Sequence, residues 1–352
     1  MVTGAATDRL TERLDPCTRA LCERARGFED DADPCLRGLI ATRVYRDHPD
    51  LPVVLKRAEV LARTLERIEP VILPEERIVG AAYRRFRVHP GVSDPDDWRI
   101  KVLHPERHGF DDRWPLPADA REELSWWRGR EVGLWGRNAV RKRSAWLSRY
   151  GVASPHGLVQ GHALPDHGIL LRAGISELRR RIAGCLETAT GDPRRDQLRA
   201  MDRCLEGFSR QCLRCADAAR RKAAEVESPV LKERIRSAAA NCEAVASDAP
   251  NSLAQALQLL YLSNFADRMD TPGDASSYGR VDQLLAPFYR ADAQAGALAN
   301  EEAFELVCHF LIKKWCCQDS NNMTVGGVRP DGRDATNDLS SMFIEAMEAT
   351  EM

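Results

Sequence analysis

The feature that most constrains the fold of this 352-residue chain is an extended, glycine-punctuated stretch followed by a helical pattern, which occurs near residues 160, 276 and 325. In the last case, residues 323–325 fit a short strand, and Gly326 and Gly327 permit positive φ. A Pro-Asp-Gly turn follows, and Asp334 or Thr336 is expected to cap the final helix. Strands that alternate with helices indicate an α/β fold.

Amphipathic helices are expected over more than half of the chain. Between residues 53 and 68, apolar side chains recur at steps of three and four, which predicts one buried helical stripe. Two long helices are expected at about 195–226 and 229–247, the second restarting at Pro229. Ser252 is suited to cap another helix. With few and short strands, the expected fold class is helix-rich α/β.

The composition argues against some classes of protein. Lys and Arg total 51 and Asp and Glu total 53, so no nucleic-acid partner is expected. No apolar run approaches the roughly 18 residues of a membrane span. The N-terminal residues lack the apolar core of a secretion signal. We therefore expect a cytoplasmic protein whose 11 cysteines are reduced thiols.

Two groups of metal-ligand residue types are present. Cys212 and Cys215 have CxxC spacing but lie within a helical pattern without a second pair, so they are predicted to pack in the core. His89, His104 and His108 lie in an irregular stretch and are expected to be turn residues. A helical protein with a metal site at these histidines remains an alternative.

Five passages resemble one family in the same order along the chain. They are "LKRAEVLARTLERIEPVILPEERIVGA", "WWRGREVG", "GLVQGHALPDHGILLRAGI", "SSYGRVDQLLAPFYRAD" and "MTVGGVRPDGRDATNDLSSMFIEA". Together they resemble the pyruvate formate-lyase-like glycyl radical enzymes, which include dehydratases, decarboxylases and carbon–heteroatom lyases. The resemblance extends from about residue 50 to the last residue.

The resemblance implies half of a ten-stranded α/β barrel wrapped by long helices. It divides residues 1–352 into a helical N-terminal region (1–80), a loop-rich excursion (81–150) and half-barrel strands and helices (151–352). The family's chemistry uses a cysteine on a finger loop and a glycine in an Arg-Val-x-Gly-Tyr loop, and neither pattern is found in this chain. We therefore expect an N-terminal half without a catalytic residue of its own.

The resemblance also implies which residues contact the substrate: His162, Asp166, Ser276, Ser277, Arg280 and Asp282. Each has a structural alternative. His162 either bonds the substrate or packs at a strand end, and Asp166 either joins it or caps the next helix. The two serines bond the substrate or cap their loop. Arg280 and Asp282 are expected to form an ion pair or brace the backbone, although Arg280 also suits an anionic substrate. His167 stands where the family has tyrosine, which leaves the shape of the pocket open.

The expected function is therefore the N-terminal half of a dehydratase- or lyase-type glycyl radical enzyme acting on a small polar substrate, inactive alone. The expected partners are a radical-SAM activase, which would install a glycyl radical in the other half, and a complementing C-terminal half or a second copy. No bound cofactor is expected in this half. The alternative is a non-catalytic binding or scaffold protein that kept the same fold.

Overall fold

The computed structural model describes residues 11–27, 36–80, 118–127, 164–270, 276–316 and 322–351. His162 and the three histidines at 89, 104 and 108 lie outside these residues. Within the stretch predicted to be irregular, residues 118–124 form a helix followed by a 3₁₀ turn at 125–127. The sequence "ADAREEL" explains this difference, because Ala, Arg, Glu and Leu all favour helix.

Helices dominate the described residues, which also form one pair of short strands. The helices are α1 Pro16–Arg26, α2 Leu36–Asp47, α3 Val53–Arg67, α4 Ala118–Leu124, α5 His167–Thr188, α6 Asp192–Glu225, α7 Pro229–Val245, α8 Leu253–Asp270, α9 Val281–Gln294, α10 Asn300–Cys316 and α11 Asp338–Thr350. The strands β1 Gly279–Arg280 and β2 Met323–Thr324 pair in parallel, with Gly279 opposite Met323. The predicted helix-rich α/β class is confirmed.

Several helices begin where their capping residues predict. Ser228 accepts from the backbone N–H of Leu231 and Pro229 opens α7, as expected. Ser252 accepts from the N–H of Gln255 at the start of α8. The prediction for α11 was wrong, because Asn337 is its cap and forms a reciprocal capping box with Ser340.

The two residues predicted to cap α11 are used within the preceding turn instead. The Asp334 carboxylate accepts from both the backbone N–H and the hydroxyl of Thr336. Because these bonds close a local turn, neither side chain reaches the first turn of the helix.

Helix α8 is the centre of the hydrophobic core. It packs against α3, α5, α7, α9 and α10, and most of its side chains are buried. Its Gln258 exchanges two hydrogen bonds with the backbone of Val79, at 3.0 and 2.7 Å. These bonds fix the extended pieces at 71–80, on either side of Pro74, which close through an antiparallel bridge between Val71 and Gly80.

The longest helix, α6, packs along α3 on one side and α7 on the other. Gly207 of α6 lies so close to α3 that a methyl group on it would stand 2.5 Å from Cα of Ala62. Cys212 and Cys215 are buried in the same helix, and burial raises the pKa of the Cys212 thiol. The packing interpretation of this pair agrees with the structure, and no metal-ligating cluster occurs among the described residues.

Helix α10 carries a row of buried polar side chains, Glu305, His309 and Lys313, spaced one turn apart. Glu305 accepts from the Asp15 backbone N–H at 2.7 Å, and Lys313 donates to Glu76 at 2.7 Å. The row thereby attaches α1 and the extended pieces at 71–80 to α10. No described helix has the length and apolarity needed to cross a membrane.

Candidate functional site

Charged side chains at the junction of the two strands form hydrogen bonds with the backbone of residues 326–328, called here the Gly-Gly segment. Arg280 donates to the carbonyl of Gly326 at 2.7 Å and to that of Val328 at 3.3 Å. The carboxylate of Asp282 accepts from the Gly326 N–H at 2.7 Å. Gly326 and Gly327 have φ of 67° and 90°, as predicted, and this conformation turns the backbone groups toward β1.

Asp282 also ties the start of α9 to the start of α11. It is fully buried and accepts from the Ser340 hydroxyl and from both the backbone and side-chain N–H groups of Gln283. Gln283 in turn donates to the carbonyl of Ala335 at 2.7 Å. The "GRVDQ" passage and the Gly-Gly passage are therefore one hydrogen-bonded unit.

Of the two structural alternatives for Arg280 and Asp282, the structure shows the backbone brace. In the described part of the chain no ion pair joins these two side chains. The Asp282 carboxylate accepts from the N–H of Gly326, and Arg280 donates to its C=O. The positive φ of Gly326 is part of the backbone conformation that gives each side chain its own backbone partner.

The adjacent serines have different surroundings. Ser276 is 1% exposed, accepts from the Asn264 amide at 3.1 Å and donates to the Asp267 carboxylate. Ser277 is partly exposed, donates to the carbonyl of Asn322 at 3.1 Å and accepts from the Gly279 N–H at 3.1 Å. Burial raises the pKa of Asp267, and the bond from Ser276 opposes that shift.

The beginning of α5 lies against the serine segment. Asp166 caps this helix, its carboxylate accepting from the N–H of Ile169 at 3.1 Å. The buried His167 ring stacks on Tyr278 with centroids 6.0 Å apart, and its Nδ1 lies 3.1 Å from the Ser263 hydroxyl. Burial lowers the pKa of His167, and the nearby Ser277 backbone partly offsets the shift. The imidazole therefore favours its neutral form in this position.

Five of the six residues expected at the site are thus in one region of the described structure: Asp166, Ser276, Ser277, Arg280 and Asp282. The sixth, His162, precedes Asp166 by four residues and lies outside the described part. The large apolar side chains of Leu164 and Val328 are exposed here, at 66% and 64%.

The residues whose hydrogen bonds hold this region in place were not identified from the sequence. Asn264 and Asp267 hold Ser276, and Asn337 and Ser340 cap α11 beside Asp282. One signal was present for the first pair: the two polar residues occur three apart in the apolar helix "LAQALQLLYLSNFADRMD". A polar pair on one face of a buried helix indicates a buried hydrogen-bond partner.

Comparison with known proteins supplies the family. A family model described as "Pyruvate formate lyase-like" matches residues 22–352. The chain belongs to this family. Its curated relatives include (2S)-3-sulfopropanediol dehydratase of Klebsiella oxytoca, 28% identical over 89% of this chain and 42% of that protein. Isethionate sulfite-lyase of Bilophila wadsworthia is 25% identical over 88% of this chain and 42% of that protein.

Solved structures agree on the fold. The B12-independent glycerol dehydratase of Clostridium butyricum superposes with a TM-score of 0.78 at 23% identity, covering 96% of this chain and 46% of that one. A structure of 1,2-propanediol dehydration in Roseburia inulinivorans gives a TM-score of 0.80 at 21% identity with the same coverage. The pyruvate formate lyase-like family member therefore has a partial α/β barrel, as predicted, and spans less than half the length of these relatives.

Proposed function

We propose that this chain forms the N-terminal wall of the substrate cavity in a glycyl radical enzyme of the dehydratase or lyase class. One observation carries the proposal. Three family passages far apart in sequence meet in one region: hydrogen bonds join the passages around residues 280 and 326, and His167 of the third stacks on Tyr278. Such convergence of loops at the ends of parallel strands is typical of binding sites in α/β proteins.

The proposed substrate is a small hydroxylated molecule. Names of relatives include a sulfopropanediol dehydratase and a hydroxyproline dehydratase. In this chain, His162 and Ser277 are proposed to bond the substrate hydroxyl. Asp166 is proposed to fix the orientation of the start of α5. Arg280 and Asp282 are proposed to act by holding the Gly-Gly segment. For Arg280, contact with an anionic substrate is proposed as the alternative, because its Nε–H has no partner among the described residues.

The radical and the reactive cysteine are proposed to belong to the remainder of such an enzyme. An activating enzyme of the radical-SAM class would install the radical on glycine. The contribution of this chain is to bind and orient the substrate and to exclude water from one side of the cavity.

The test is anaerobic reconstitution of the complete enzyme. The chain is produced together with the polypeptide encoded directly after codon 352 and the neighbouring activase. The glycyl radical is then measured by electron paramagnetic resonance, and consumption of glycerol, 1,2-propanediol, sulfopropanediol and isethionate is followed. We expect a radical and turnover of at least one of these substrates. Absence of a finger-loop cysteine and a glycyl loop from the neighbouring coding sequence would overturn the proposal.

A matched pair of variants tests the role of Ser277. Ser277→Ala should leave the radical signal unchanged and lower kcat/KM about tenfold, since one hydrogen bond to substrate is lost. Ser341→Ala, on the exposed face of α11, should match the parent enzyme. Equal kcat/KM values for the two variants would argue against a substrate contact at Ser277.

A non-catalytic scaffold is the second candidate. The exposed Leu164 and Val328 near the strands would favour it if they form part of one apolar patch, because contiguous exposed apolar patches mark association surfaces. Light scattering of the purified chain tests this function. A stable dimer, together with a coding sequence that supplies no second half, would favour the scaffold over the enzyme.

A further inference from the structure

Ser276 and Ser277 differ in whether their hydroxyl protons are available for a hydrogen bond to a substrate. A serine hydroxyl has one proton to donate and two lone pairs to accept with. At Ser276 the proton goes to the Asp267 carboxylate and one lone pair accepts from Asn264, in a location that is 1% exposed. A bond to a carboxylate is charge-assisted and is costly to exchange. Ser276 therefore has no proton available for a substrate.

Ser277 is in the opposite situation. Its proton goes to the neutral carbonyl of Asn322, which also accepts from the Tyr278 N–H at 2.9 Å. If the Ser277 hydroxyl turns toward a substrate, Asn322 keeps its second bond, so no buried acceptor is left unpaired. Partial exposure makes this rotation possible without opening the core.

Asn264 and Asp267 are three residues apart on α8, the helix at the centre of the core. Keeping an amide and a carboxylate in such a place is unfavourable unless their hydrogen bonds are made. Ser276 supplies a bond to each of them. The segment that carries Ser277 is therefore attached directly to the most buried helix of the described structure.

We infer that Ser276 is a positioning residue, which Asn264 and Asp267 hold so that Ser277 alone of the two serines binds the substrate. This inference rests on the proposed function of the site. It assigns Ser276 a different role from the direct substrate contact that the family resemblance implies. Misplacement of a positioning group weakens the contact that it positions, so Ser276→Ala is expected to lower kcat/KM by up to the roughly tenfold predicted for Ser277→Ala.

The first test needs no activity and uses the chain as it is. Hydrogen–deuterium exchange is followed by mass spectrometry for the backbone of residues 276–280. Ser276→Ala should speed exchange at the Tyr278 amide about tenfold, because the segment is released from α8, and Asp267→Asn, which keeps an acceptor for Ser276, should speed it less. Ser277→Ala should speed exchange at Gly279, whose N–H it binds, and Ser341→Ala should change neither.

The second test is a double-mutant cycle in the completed enzyme. If Ser276 acts only through Ser277, the double variant Ser276→Ala/Ser277→Ala should have the same kcat/KM as Ser277→Ala alone. A direct contact between Ser276 and substrate predicts additive losses instead. Asp267→Asn, which keeps an oxygen for the Ser276 proton, should give a smaller loss than Ser276→Ala.

The outcomes separate the two proposals. Additive losses, or unchanged exchange at Tyr278 in Ser276→Ala, would overturn the positioning role. A completed enzyme without radical or turnover would overturn the proposed function and the substrate part of this inference, while exchange would still decide whether Ser276 anchors the segment. If Ser276→Ala does not fold, Asp267→Asn provides the same comparison with less change in shape.

Discussion

Asp282 is the residue on which the largest number of local interactions in the candidate site depends. Its buried carboxylate accepts from the Gly326 N–H in the turn after β2, from the Ser340 hydroxyl at the start of α11, and from the neighbouring Gln283. The buried Gly326 N–H and Ser340 hydroxyl would lose their acceptor if this carboxylate were removed. The residue therefore serves as a structural centre that keeps β1, the Gly-Gly turn and α11 in one arrangement.

Replacing this carboxylate by an amide should be costly. Asp282→Asn keeps the shape but points N–H groups at a donor, and hydrogen bonds to charged groups are worth about 1.5–3 kcal/mol each. We expect the free energy of unfolding to fall by about 2–4 kcal/mol. Asp338→Asn, in the exposed first turn of α11, should change it by less than about 1 kcal/mol. Urea denaturation measures both, and equal effects would contradict the central role of Asp282.

At the scale of elements, close packing between α3 and α6 depends on one glycine. Gly207 allows the α6 backbone to approach Ala62, whose Cα would be 2.5 Å from any added Cβ. Helix axes can come this close only where a side chain is missing. A second glycine, Gly184 of α5, is exposed and has nothing within 4 Å of such a Cβ. The two positions provide a natural comparison.

The same substitution should have opposite signs at these glycines. Gly207→Ala should force the two helices apart and lower the free energy of unfolding by about 2 kcal/mol or more. Gly184→Ala should raise it by about 0.5–1 kcal/mol, because alanine is the better helix former. Thermal unfolding of both variants checks this pair. A stabilising effect at position 207 would show that the helices do not pack as described.

At the scale of the whole molecule, the N-terminal region is joined to the rest through the polar row on α10. The Nδ1 atom of His309 accepts from the Arg77 backbone N–H at 3.2 Å, and its Nε2 lies 3.0 Å from the Thr18 hydroxyl. Complete burial, reinforced by nearby Arg77 and Arg234 and opposed by Asp15, lowers the pKa of His309 from 6.5 to about 3. The imidazole is therefore neutral in the folded protein, while in the unfolded chain it gains a proton below pH 6.5.

This difference predicts acid sensitivity of the fold. A depressed folded pKa gives stability that is present above pH 6.5 and is lost as the pH falls toward 3. Between pH 7.5 and 5, His309 should account for a loss of about 2 kcal/mol. Because glutamine can make both hydrogen bonds without titrating, His309→Gln should reduce the loss of unfolding free energy between pH 7.5 and 5 by that amount. His48→Gln, at an exposed position, should not.

Urea midpoints at the two pH values are the measurement. The stability of His309→Gln should still fall somewhat as the pH is lowered, because burial also lowers the pKa of His167. Burial raises the pKa of Asp15, but Arg234 and the backbone N–H of Thr18 together lower it to about 2, so Asp15 titrates below this range in the folded protein. Parallel profiles for His309→Gln and the parent chain would contradict the assignment.

Helix positions and the class of fold could be predicted because apolar periodicity and caps such as Ser228 are local properties. The cap of α11 was not predictable, since the positions from Asp334 to Asn337 include three possible capping side chains, and bonds within the turn occupy two of them. The choice between ion pair and brace at Arg280 depends on the direction of a peptide group 46 residues away. The different roles of Ser276 and Ser277 depend in the same way on where α8 lies.

Helix α5 is interrupted at Gly174, which divides it into two parts. Gly174 has φ of 71° and fits against residues 248–249, where a Cβ would stand 2.3 Å from the Ala249 nitrogen. Residues 167–173 and 175–188 are therefore distinct rods with independent directions. His167 of the first stacks on Tyr278, and Arg179 of the second pairs with Asp202 of α6, so each rod is held by a different part of the fold. A chimera that exchanges residues 167–173 between family members should be spliced at this glycine.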